Sequence, residues 1–90
     1  MQDKIIVKLN PGMLNQTIYI FSNECNTVPL QKEATMEELL SVVTMAAAKY
    51  KIEYIGLSGA REFARGIEDQ LTEKISTCFG NSNNITIDVL

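Results

Sequence analysis

The feature that most constrains this chain is the alternation of two sequence periods. Short β-branched runs are interleaved with two longer stretches whose apolar residues recur at helical spacing. A chain written this way is expected to fold as an α/β domain, its strands in one sheet and its helices crossing between them. The first run, Lys4 to Leu9, reads Lys-Ile-Ile-Val-Lys-Leu. It is nearly continuous in apolar residues, as in a strand buried on both faces. Asn10-Pro11-Gly12 ends it with turn chemistry, since proline fixes φ and glycine accepts φ > 0. Thr17 to Phe21 is a second strand of high β propensity, joined to the first by a hairpin loop over Asn10 to Gln16. Thr27 to Lys32 reads as a short third strand, confined to an edge by Pro29.

Thr35-Met-Glu-Glu38 is a capping box, in which threonine and glutamate each satisfy the other's backbone N–H. It predicts a helix from Thr35 to Lys49 with a wide apolar stripe: Met36, Leu39, Leu40, Val43, Ala46 and Ala47. Ile52 to Leu57 reads as a central strand. Ala60 to Phe79 reads as a second helix, on the spacing of Phe63, Ala64, Ile67, Leu71, Ile75 and Cys78, with Gly80 as its terminating glycine. Asn84 to Leu90 alternates and closes the chain as a strand. The predicted core comprises Ile6, Ile20, Leu40, Val43, Ile55, Phe63, Ile67, Leu71 and Ile87. Gly66, inside the second helix, suggests close approach of another backbone.

The order is therefore β-β-(β)-α-β-α-β, in one domain over residues 1–90. Strand–helix–strand connections are right-handed, so the later strands run parallel to the first, and the hairpin adds an antiparallel part. This order, with the passage from Tyr54-Ile-Gly-Leu-Ser-Gly59 into Ala60–Leu71, resembles the ribonuclease H-like fold. The same fold builds each half of the actin-like ATPases. The topological resemblance spans the chain, whereas the motif covers only the strand, turn and helix around Gly59. Members with nuclease activity carry a metal-binding aspartate in the first strand, and Lys4 to Leu9 has no acid. Glu37, Glu38, Glu53 and Asp88 form no constellation with such an acid, and two-metal chemistry needs clustered carboxylates holding ions ~4 Å apart. A degenerate nuclease is the weakest functional reading, and an actin-like ATPase needs two such halves.

Composition narrows function further. Eight Lys and Arg against eleven Asp and Glu give a net charge of −3, with no basic stripe to neutralise phosphates. Nucleic-acid binding is not expected. The aromatic residues Tyr19, Phe21, Tyr50, Tyr54 and Phe63 belong to a chain of net negative charge and read as core and rim, not as a stacking platform for bases. There is no histidine, so the usual general base near neutral pH is missing and no nucleophile–base pair stands out. Cys25 and Cys78 are far apart without metal-ligand spacing, and read as reduced, partly buried thiols, with a disulfide between them as the alternative. No metal or cofactor is expected. Met1 to Lys4 lacks the features of a signal peptide, and no apolar run reaches the ~18 residues of a membrane span. A cytoplasmic address and no membrane partner are expected. Size and lean composition fit a phage- or mobile-element-encoded product.

Three surface features remain. Ser58-Gly59, with Arg61 after it, offers a helix N-terminus that could take a phosphate or nucleotide, or merely a tight turn with a cap. Arg61, Arg65, Asp69 and Glu73 form one polar row on the second helix, read as a solvated face. Met13 and Leu14 put apolar side chains on a hairpin loop where polar ones are usual, and Val28 and Leu30 make the edge strand apolar. These four point to a small non-catalytic binding or regulatory module. Its expected partner is a protein or a second copy, as a homodimer through the hairpin side of the sheet.

Overall fold

The computed structural model describes residues 3–23 and 28–90. The elements are β1 (Lys4–Leu9), β2 (Asn15–Phe21), β3 (Leu30–Thr35), α1 (Met36–Lys49), β4 (Tyr54–Gly59), α2 (Arg61–Phe79) and β5 (Thr86–Val89). The five strands form one mixed sheet in the order β3-β2-β1-β4-β5. β2 runs antiparallel to both neighbours, with Ile5 opposite Ile20 and Val7 opposite Ile18. β4 runs parallel to β1, and β5 parallel to β4. This is the α/β class that the two interleaved periods predict.

Both helices lie on one face of the sheet. The crossovers from β3 to β4 and from β4 to β5 step in the same direction, and right-handed connections then bring both helices to the same side. The core sits between that face and the helices: Ile5, Val7 and Leu9 from β1, Ile18 and Ile20 from β2, Ile55 and Leu57 from β4, Leu39 and Val43 from α1, and Ala64, Ile67, Leu71 and Ile75 from α2. β1 is therefore buried through its odd-numbered residues, not on both faces as expected. Ile6 points to the opposite, helix-free face and is half-buried. Leu40, Phe63 and Ile87 are likewise only half-buried against the core. Gly66 is exposed, and a Cβ added there would meet nothing within 4 Å, so no backbone approaches it.

Element boundaries shift where backbone hydrogen bonds are spent elsewhere. β3 starts at Leu30 because Pro29 has no N–H to donate to the ladder, and it continues to Thr35, opposite Asn15. Thr27 lies outside the described residues. The capping box takes another form: the Thr35 hydroxyl donates to the Glu38 carboxylate at 2.8 Å, and no side chain caps the backbone. At the far end of α1, Lys51 adopts φ 54° and the Ile52 N–H donates to the Ala47 carbonyl at 3.0 Å. This is a Schellman closure with lysine in the usual glycine position. It holds Ile52 in the connection, so β4 begins at Tyr54. The Ile85 N–H donates to Asn83 Oδ1 at 3.0 Å, and β5 begins after it, at Thr86. Gly80 ends α2 as predicted, at φ 91°.

Candidate functional site

The β4–α2 turn is set by close backbone approach. Gly59 has φ 119°, and a Cβ there would lie 2.0 Å from the Leu9 carbonyl oxygen. Glycine is needed so that β4 can stay paired with the end of β1. The Ser58 hydroxyl donates to the Val7 carbonyl at 3.3 Å, and the N-cap of α2 is Ala60, without a side-chain cap. Arg61 is exposed, and Glu62 already places a carboxylate in the first helical turn, where an anion would sit. Ser58 and Gly59 thus have intramolecular tasks that account for both residues.

The β1–β2 loop is built with more care than a connection needs. Gln16 is 1% exposed at the start of β2, across from the buried Ala34. Its Nε2 donates to the carbonyls of Asn10 (2.9 Å) and Met13 (3.1 Å), and its Oε1 accepts the Asn10 N–H. Asn10 Oδ1 accepts the Gly12 N–H at 3.0 Å, and the Asn10 carbonyl accepts the Met13 N–H at 3.0 Å. These bonds fold residues 10–13 into a closed turn around a fully satisfied amide. Met13 and Leu14 then stand on its outside, 59% and 80% exposed. With Thr35, Met36 and Glu37 they line an open cleft at the start of α1. None of the sequence expectations includes this part of Gln16 in holding the loop. Its inward position follows the β2 alternation Gln16, Ile18, Ile20, but its bonds across the loop have no sequence signal.

Met13, Leu14, Val28 and Leu30 do not form one patch. Val28 is 70% exposed and Leu30 is half-buried, at the other end of β3. Leu30 pairs with Ile20 whereas Thr35 pairs with Asn15, so the two apolar spots are about 17 Å apart at ~3.4 Å per residue. Between them the β3 edge carries the exposed Lys32 and Glu33.

The helix-free face also gathers aromatics. Lys4 sits over the Phe21 ring at 5.2 Å, and Lys8 over the Tyr19 ring at 5.7 Å. Cations are therefore interleaved with aromatics in space, although the sequence keeps them apart. They occupy the ring faces on which a base would stack. Ile6, Tyr54 and Leu90 converge over Gly56, where an added Cβ would lie 2.9 Å from Leu90 Cδ1 and 3.0 Å from Ile6 Cδ1. Burial in this cluster, with the hydrogen bond and charge of Asp88, pushes the Tyr54 phenol above its ordinary pKa of 10.0.

Arg61, Arg65, Asp69 and Glu73 are all exposed, as a solvated row requires. Cys78 is a free thiol but exposed, not partly buried as expected, because it lies beyond the buried row Ala64, Ile67, Leu71 and Ile75 of α2; Cys25 lies outside the described residues. Among the described residues, no group of three or more His, Cys, Asp or Glu is arranged to hold a metal ion. No described helix is long and apolar enough to cross a membrane. Comparison with family models, with curated proteins and with solved structures finds no match for this chain.

Proposed function

We propose that this chain is a small non-catalytic module acting through protein–protein contacts, with the β1–β2 loop as its contact surface. The observation that carries the reading is the use of Gln16. A buried amide is costly unless its hydrogen bonds are made. Here one is buried and fully bonded to hold a loop whose apolar residues face solvent. A preformed loop loses little conformational freedom on binding, which favours affinity. Methionine adds a flexible side chain that adapts to a partner surface.

The hairpin side of the sheet suits a different protein better than a second copy. A two-fold pairing of β3 with itself that uses the whole strand centres on Lys32 or on Glu33 at its middle, and so opposes two ammoniums or two carboxylates. Like charges directly across a strand pair are destabilising.

The test is affinity capture from source-cell lysate with the full chain, comparing wild type, Met13→Asp/Leu14→Asp, and Met45→Asp. Met45 is 72% exposed on α1 and serves as a control for exposed methionine. All three should unfold within about 0.5 kcal/mol of one another, as surface substitutions do. A partner held by wild type and Met45→Asp but lost by the double variant is expected. Identical capture by all three would remove the loop from the contact.

A further inference from the structure

We propose that β5 is a self-association edge: two copies pair β5 with β5 antiparallel about a two-fold axis at Ile87, which continues the sheet across the pair. This goes beyond the hairpin contact and does not depend on it, since β5 is the opposite edge of the sheet.

The backbone sets the register. The Thr86 N–H donates to the Glu53 carbonyl at 2.9 Å, and the Leu90 N–H to the Leu57 carbonyl at 2.8 Å. Even-numbered residues of β5 thus turn their backbone groups toward β4. By alternation, Ile87 and Val89 turn theirs outward, to the edge that no other described strand covers. The Ile85 carbonyl also faces out, while the Ile85 N–H is already taken by Asn83. Centring the axis at Ile87 lets the two Ile87 residues exchange a pair of hydrogen bonds. Each Val89 N–H then meets the Ile85 carbonyl of the other copy, so every outward N–H of this strand finds an acceptor.

The side chains agree with that register. Ile85, Ile87 and Val89 are half-buried on the helix side, where Ile75, Thr72 and Ser76 of α2 border the same open groove. The pairing joins this apolar row to its copy, with Ile87 against Ile87 and Ile85 against Val89. On the other face, Thr86 lies across from the partner's Asp88, a neutral donor facing a carboxylate. Centring one residue later, on Asp88, would instead oppose two carboxylates, a destabilising pair. β5 therefore has a self-complementary register, whereas the charged centre of β3 has none.

Sedimentation equilibrium of the full chain, from low to high micromolar concentration, tests this. Thr86 is exposed, so its variants keep the fold, which far-ultraviolet circular dichroism checks. Wild type should dimerise. Thr86→Asp places two symmetric pairs of like charges across the axis and should weaken the dimer by about tenfold. Thr86→Lys places lysine opposite aspartate and should tighten it. Lys32→Ala, on β3, should leave the dissociation constant unchanged. A monomeric wild type would overturn the proposal. So would a dimer that responds to Lys32→Ala, or one whose strength does not move in opposite directions with the two Thr86 variants.

Discussion

Two glycines show how differently one residue type can be used. At Gly59, φ is 119° and the Leu9 carbonyl oxygen occupies the space of a side chain. Backbone strain of this kind costs about 1–3 kcal/mol, and the clash with main chain adds to it. Gly59→Ala should therefore lower unfolding free energy by at least about 2 kcal/mol in urea. Gly66 sits in an exposed turn of α2 with open space around it, so Gly66→Ala should raise stability by up to about 1 kcal/mol. The two substitutions are chemically identical and opposite in sign. A loss below about 1 kcal/mol at Gly59 would mean that the β4–α2 turn relaxes away from β1.

The elements show which parts of the fold were legible in the sequence. α2 was readable because its periodic residues Ala64, Ile67, Leu71 and Ile75 all face one layer, and all are buried. Leu71→Ala should cost about 2–5 kcal/mol by chemical denaturation, from lost transfer energy plus a cavity. Ile6→Ala, on the half-buried helix-free face, should cost clearly less. Equal costs would place Ile6 in a second core. The apolar run of β1 could not report this difference, because the covered face is decided by the direction of two crossovers far along the chain. Strand starts were misplaced for local reasons: Pro29 has no N–H to offer β3, and the Ile52 N–H is bonded to the Ala47 carbonyl before β4 begins. At the candidate site, the exposure of Met13 and Leu14 was legible as apolar residues in a turn. The role of Gln16 was not, because its three bonds reach back across the loop to Asn10 and Met13.

At the scale of the whole molecule, the single helical layer leaves distinct surfaces. The hairpin tip lies at one end of the β2–β3 pair, β5 forms the far edge, and the face behind the sheet carries Lys4 and Lys8 over Phe21 and Tyr19. Met13 and Leu14 are exposed and lie outside the core, so these two side chains can be altered without unfolding the domain. The central claim is that this tip is a preformed apolar contact surface, held by Gln16. Backbone amide relaxation over the whole chain, in wild type and in Gln16→Ala, tests it most directly. A preformed tip gives Gly12, Met13 and Leu14 order parameters near those of the strands, about 0.85, falling below about 0.6 in Gln16→Ala while β1 and β4 stay rigid. Order parameters already below about 0.6 at Met13 and Leu14 in wild type would contradict a preformed surface.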